Sequence, residues 1–91
     1  MHLISYHPDT LRKDAAVINK DILKRIKKAI ENRLQTHPAD YGKPLRGDLK
    51  FLWSLRVGDY RVVYEIENTK VIVLQISHRR DAYDSGMLEA R

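Results

Sequence analysis

The feature that most constrains this chain is its second half. Three runs rich in β-branched, aromatic and other apolar residues follow one another with almost nothing between them: 51–57 (FLWSLRV), 60–67 (YRVVYEIE) and 71–77 (VIVLQIS). Gly58-Asp59 separates the first pair and Asn68-Thr69 the second. Connections this short join antiparallel neighbours, and Gly and Asn tolerate the positive φ that tight turns demand. The pattern predicts a three-stranded antiparallel meander, which must bury one face against something else.

The covering material lies upstream. Ile22, Ile26, Ile30 and Leu34 recur at intervals of four, with Leu23 and Ala29 beside them, which is one apolar stripe of a helix. Asn19 suits the N-cap and Asp21 the first turn. The opposite face carries Lys24, Arg25, Lys27, Lys28, Glu31 and Arg33. Pro8 and Asp9 favour an earlier helix start, so a first helix is expected over 8–17, burying Leu11, Ala15 and Ile18 or its neighbours. Residues 2–6 (HLISY), ended by Pro8, read as an edge strand. Residues 37–47 (HPADYGKPLRG) hold two prolines and two glycines and read as a loop. The polar tail from Arg79 onward has room for a last short helix. The expected fold is a single α+β domain: an N-terminal strand and a helical hairpin packed on one face of an antiparallel β-sheet, in the order β-α-α-β-β-β.

Such a sheet leaves its other face open, and the alternation of side chains says what stands there. Phe51, Trp53, Leu55 and Val57 share one face of the first run, and Tyr60, Val62, Tyr64 and Ile66 one face of the second. These large apolar sets belong under the helices, which turns Arg56 and Arg61 outward. In the third run the same parity carries Gln75, Ser77 and then Arg79 to the open side, while His78 turns toward the core. Three arginines from adjacent strands would then converge. Arginine stays charged and grips phosphate in two-point geometry, and phosphoryl chemistry proceeds by positioning and charge neutralisation. Lys43, Arg46 and Lys50 on the leading segment add positive charge. The plain alternative is a set of solvated strand residues, with Arg61 pairing Glu65. Trp53, Tyr60 and Tyr64 are core by parity, so Tyr41 and Tyr83, outside the regular strands, are the better base-stacking candidates.

Composition narrows the classes. Lys and Arg number 17 against 12 Asp and Glu, a net charge of +5, which favours a polyanionic or acidic partner. The absence of cysteine excludes thiolate metal sites and thiol nucleophiles, and for a small domain it favours the cytosol. His2, His7 and His37 are scattered without metal-ligand spacing. No apolar run approaches the roughly 20 residues needed to cross a membrane, and MHLISYHPD meets Pro8 and Asp9 too early for a signal peptide.

Three stretches resemble the RelE/ParE superfamily of bacterial and archaeal toxins: GKPLRGDLKFLWSLRVGDYRVVYEI, the strand VIVLQI and the closing SHRRDAY. The resemblance spans the whole chain. It implies a type II toxin with a cognate acidic antitoxin in a toxin–antitoxin hetero-oligomer, acting on the ribosome and messenger RNA without metal or cofactor. In RelE-like members the 2′-hydroxyl attacks its own adjacent phosphate, leaving a cyclic phosphate and a free 5′-hydroxyl. Carried over, Arg61 matches the transition-state arginine of the Y-R-V strand and Arg56 a basic position on the preceding strand. Arg79 or Arg80 matches the arginine closing the last strand, and parity favours Arg79. Tyr83 matches the tyrosine that stacks on a base or assists proton transfer. The chain departs from the pattern where such nucleases often carry strand lysines: Leu52 and Ser54 stand there, with Lys50 just before. Members lacking those lysines use histidine or glutamate, which here points to His78 or Glu65 as the general base. Within the same superfamily the alternatives are a ParE-like inhibitor of DNA gyrase and a degenerate toxin that only binds an antitoxin.

Overall fold

A computed structural model describes residues 1–49 and 51–81. The strands are β1 (Leu3–Tyr6), β2 (Lys43–Pro44), β3 (Trp53–Val57), β4 (Tyr60–Glu67) and β5 (Lys70–His78), and the helices α1 (Lys20–Leu34) and α2 (Pro38–Tyr41). They form one sheet in the order β1-β5-β4-β3-β2. The meander is as expected: β3–β4 and β4–β5 are antiparallel, joined by two-residue turns with positive φ at Gly58 and Asn68.

Two features enlarge the expected sheet. β1 joins β5 in parallel, Leu3 facing Lys70 and Tyr6 facing Val73, because the long route through the helices lets it return in either direction. β2 lies inside the segment expected to be only loop and pairs with β3, Lys43 to Ser54 and Pro44 to Trp53. Proline is compatible with this position because β2 is an edge strand.

α1 forms as its sequence dictates. Asn19 caps it, its side-chain oxygen accepting from the Asp21 and Ile22 amides at 2.9 and 3.5 Å. Ile26, Ile30 and Leu34 are buried with Leu55, Val62, Tyr64, Val71, Val73 and Ile76, and Ile22, Trp53, Val57, Tyr60 and Ile66 pack around them. Parity therefore assigns these strand residues correctly, apart from Phe51. Regular β3 begins at Trp53, so Phe51 lies before the pleat and is 77% exposed.

The first helical segment differs most from expectation. It is irregular, a π turn over Thr10–Asp14 and a 3₁₀ turn over Ala15–Val17. Ile18 is buried as expected, but Leu11 is exposed, and Thr10 and Asp14 point inward. The reason lies in β5. Beyond Val73 the strand β1 has ended, and the register with β4 shifts between Val63/Tyr64 and Gln75/Val73. Backbone groups left without a strand partner need another one. The Thr10 hydroxyl donates to the carbonyls of Val73 (3.2 Å) and Leu74 (2.7 Å), and an Asp14 carboxylate oxygen accepts from the Ile76 amide at 2.9 Å. Polar residues fill the inner face because the surface they meet is hydrogen-bonding backbone. No helix among the described residues is long and apolar enough to cross a membrane.

Candidate functional site

The open face of the sheet divides in two. Toward one end Val63 and Leu74 are buried beneath Leu45, Leu49 and Leu52, with Ile72 alongside. Leu45, Leu49 and Leu52 thus fold back over the sheet, and the Leu45 amide donates to the Leu52 carbonyl at 2.9 Å. Toward the hairpin end the face is open and basic. There a cavity of about 390 Å³ is lined by Tyr41, Lys43, Leu45, Ser54, Arg56 and Arg61.

The topology explains each member. Arg56 on β3 and Arg61 on β4 are cross-strand partners one step inside the Gly58-Asp59 turn. Like charges directly opposite each other on one sheet face destabilise it by a few tenths to about 1 kcal/mol. Neither guanidinium has a carboxylate partner among the described residues. Arg61 instead donates to the carbonyls of Tyr60 (3.1 Å) and Gly58 (3.4 Å), which tethers its half-buried side chain to the hairpin. Lys43 enters from β2, opposite Ser54. Tyr41 enters from the end of α2, half exposed at the rim.

A single buried tyrosine behind the cavity holds this rim. Tyr64 is fully buried, and its hydroxyl donates to the Pro38 carbonyl at 2.5 Å. Burial pushes its ionisation up to about 12 from the ordinary 10.0. Gly42 lies directly on it: a Cβ there would come within 1.9 Å of the Tyr64 hydroxyl oxygen and 2.8 Å of Cζ. Both ends of the Pro38–Tyr41 turn thus rest on one buried ring.

The other sequence-predicted residues fall elsewhere. Ser77, not an arginine, stands opposite Arg61 on β5. Arg79 follows beyond the strand end, exposed, its amide donating to the Asp59 carbonyl at 2.7 Å. It shares the side of Arg61 by parity but does not line the cavity, so the expected three-arginine convergence is a pair. Arg80 and His78 line a different cavity, of about 410 Å³, with Tyr60, Asp14 and Val17. His78 meets the Tyr60 ring edge-on, centroids 5.5 Å apart, on the helix side of the sheet. This separates it from Arg61 and removes it as a partner of the arginines, for the reason alternation predicts. Glu65 shares the face of Arg61 but stands four residues along β4, roughly 13 Å away at 3.3 Å per residue. Arg46 is exposed on the loop and does not line the cavity. Lys50 and Tyr83 lie outside the described residues. Residues that sequence reasoning passed over are Gly42 and the Tyr64 hydroxyl, whose roles depend on packing between segments 22 positions apart in the chain. Among the described residues no group of three or more His, Cys, Asp or Glu is placed to hold a metal ion.

A mixed sheet with helices on one face and a basic cavity on the other is a small α+β scaffold suited to a polyanionic or acidic partner. The family model described as "ParE toxin of type II toxin-antitoxin system, parDE" matches residues 4–83. Toxin RelG of Mycobacterium tuberculosis is 37% identical over 76 residues, covering 81% of this chain and 87% of that protein. Among solved structures, the toxin–antitoxin complex RelBE2 of Mycobacterium tuberculosis superposes with a TM-score of 0.79 at 32% identity, covering 88% of this chain and 93% of that one. The RelB–RelE complex of Methanococcus jannaschii shares the fold, with a TM-score of 0.68 at 24% identity over 89% of this chain and 96% of that one. The chain belongs to the RelE/ParE family of toxins of type II toxin–antitoxin systems.

Proposed function

We propose that this toxin is an endoribonuclease that cleaves messenger RNA on the ribosome, and that the cavity bounded by Arg56 and Arg61 is its active site. One observation carries the reading: two cross-strand arginines, neither with a carboxylate partner among the described residues, share a concavity with Lys43, an arrangement that costs stability. Stored electrostatic stress of this kind is understandable where an anion is to be bound.

In the reaction the ribose 2′-oxygen forms a bond to the adjacent phosphorus, the bond from phosphorus to the 5′-oxygen breaks, and a proton passes from the 2′-hydroxyl side to the leaving oxygen. Negative charge accumulates on the non-bridging oxygens. Arg61, tethered by the Tyr60 and Gly58 carbonyls, supplies preorganised donors to that charge, and Arg56 supplies a second cation from the neighbouring strand. Lys43 holds the flanking backbone as a point charge. The family resemblance adds Arg79, which follows the end of β5 outside the cavity lining, and Tyr83 as further contributors. The partner that silences the toxin is an acidic antitoxin laid across this face, in keeping with the net charge of +5. The RelBE2 and RelB–RelE structures are themselves toxin–antitoxin complexes.

A second reading, inhibition of DNA gyrase, is favoured by the absence of any carboxylate or imidazole from the cavity lining among the described residues. Single-turnover messenger cleavage on programmed ribosomes decides between them. Arg61→Ala should cleave about a hundred- to a thousandfold more slowly, the usual cost of one preorganised donor to a transition-state anion. It should melt at or slightly above the wild-type temperature, because cross-strand repulsion is relieved. Wild-type cleavage by Arg61→Ala would remove the proposed site. A wild-type protein that leaves messengers intact but blocks gyrase supercoiling would establish the second reading.

A further inference from the structure

The cavity has one wall that neither the fold nor the charge neutralisation uses. Tyr41 is 54% exposed and belongs to neither hydrophobic cluster. Its hydroxyl makes no hydrogen bond among the described residues, and its one ring contact is the edge of His37, centroids 6.2 Å apart at 71°. An aromatic ring in this position contributes little to stability.

Yet the backbone that carries the ring is anchored on both sides. α2 is one short turn, with the Asp40 and Tyr41 amides donating to the His37 carbonyl at 3.1 and 3.2 Å. Tyr64 fixes its start through Pro38 and its end through Gly42, and β2 then locks Lys43 against Ser54. The backbone of Tyr41 therefore stands at a set place, and its side chain lines the same cavity as the two arginines. Exposed aromatic faces next to phosphate-binding cations are how proteins hold single-stranded nucleic acid: cations take the backbone and the ring takes a base.

We propose that Tyr41 is the stacking platform for one nucleobase of single-stranded RNA, the base next to the phosphate held by Arg56 and Arg61. The inference rests on the reading of this cavity as an RNA site and adds to it a base subsite. A cavity of about 390 Å³ falls within the range of small-ligand sites, roughly 300–1,000 Å³. Every base has a π-face, so the platform accepts all four, with the larger purines held best. Its contribution is to binding and register, not to the chemical step. Tyr41 is thus a positioning residue for the adjacent ribose and phosphate.

The test uses programmed ribosomes whose messenger carries 2-aminopurine beside the cleavage position and a 2′-O-methyl group that blocks cleavage. Wild-type toxin should quench the fluorophore on binding, as stacking does. Tyr41→Phe should quench equally and bind within about twofold. Tyr41→Ala should lose the quench and bind about 5- to 150-fold more weakly, the equivalent of about 1–3 kcal/mol per stacked base at 1.4 kcal/mol per tenfold. Its salt dependence should be unchanged. Tyr41→Leu, which keeps apolar bulk without a π-face, should behave as Tyr41→Ala. Arg61→Ala should keep the quench at saturation while its salt slope falls by about 0.7, one single-strand phosphate contact. Melting temperatures of the Tyr41 variants should stay near wild type. Full quenching and affinity in Tyr41→Ala or Tyr41→Leu would overturn the platform, and so would an effect of these variants on antitoxin binding alone. A wild-type protein that does not bind the ribosomes at all would instead remove the nuclease reading, and this inference with it.

Discussion

Gly42→Ala is the smallest change that should disturb the site, and the structure sets its size. The added methyl carbon would fall 1.9 Å from the Tyr64 hydroxyl oxygen, 2.8 Å from Cζ and 3.2 Å from the Ser54 carbonyl oxygen. Two of these contacts are shorter than real Cβ atoms tolerate, so something must move. The Tyr64 ring is fully buried among core residues and has no free direction to take. Its hydroxyl also donates to the Pro38 carbonyl, a bond any displacement would weaken. Overpacking costs about 1–3 kcal/mol, and loosening a buried hydrogen bond costs about 1–3 kcal/mol. Since the two overlap, about 2–4 kcal/mol is expected in total, against a typical stability of about 5–15 kcal/mol. For a domain of this size each kcal/mol moves the midpoint by about 4–8 °C, so the melt should fall by roughly 10–25 °C. Calorimetry or circular dichroism reads this directly. Tyr64→Phe is the control: it removes the oxygen at 1.9 Å, so the double variant should be more stable than the sum of the two single losses by at least about 1 kcal/mol. A Gly42→Ala protein melting within about 2 °C of wild type would refute the packing of Gly42 on Tyr64.

Two further measurements probe the scaffold. Tyr64 ionises at about 12 when folded against 10.0 ordinarily, and Tyr6 is likewise held above its ordinary value, by burial and then by the Glu31 carboxylate. Groups whose folded pKa is raised contribute stability below pH 10 that is lost as pH climbs through 10 toward 12, so chemical denaturation should show a falling alkaline limb in that window, shallower in Tyr64→Phe. An equally steep limb in Tyr64→Phe would exclude Tyr64 as its source. Thr10→Val keeps shape but removes the hydroxyl that donates to the Val73 and Leu74 carbonyls, and should cost about 0.5–1.5 kcal/mol in denaturant titrations. A neutral outcome would mean that water replaces the hydroxyl at β5.

What could be read from the sequence was whatever depends on neighbours in the chain. The stripe Ile22, Ile26, Ile30, Leu34, the Asn19 cap and the two turns are local signals, and each stands in the structure where expected. The Arg56–Arg61 pair followed from period two plus a short turn, which together set register. What stayed illegible depends on distant chain. Thr10 and Asp14 look like surface residues until the stretch of β5 beyond the end of β1 is known. Lys43 and Pro44 become a strand only because β3 offers an edge beside them. Phe51 misled because its run looks continuous, whereas the chain leaves the sheet before Trp53.

The same segment that hid from sequence reasoning explains why the site lies where it does. A sheet with helices on one side leaves apolar residues stranded on the other: here Val63, Leu74 and Ile72. The segment after β2 solves that problem, with Leu45, Leu49 and Leu52 as a lid over the apolar half. The lid stops at Leu45, which borders both the covered cluster and the basic cavity. From there to the hairpin the face carries Arg56 and Arg61, which need no cover because they are to be solvated or bound. One strip of chain therefore plugs half the sheet, contributes Lys43 and Leu45 to the cavity, and through Gly42 adjoins the rim residue Tyr41. It follows that core and site are not independent: the Tyr64 ring that completes the helix-side core also sets the edge of the cavity on the opposite face. Loss of activity on mutating Gly42 or Tyr64 would then report displacement of the wall, and only the Arg56 and Arg61 variants, which leave that wall in place, isolate the chemistry.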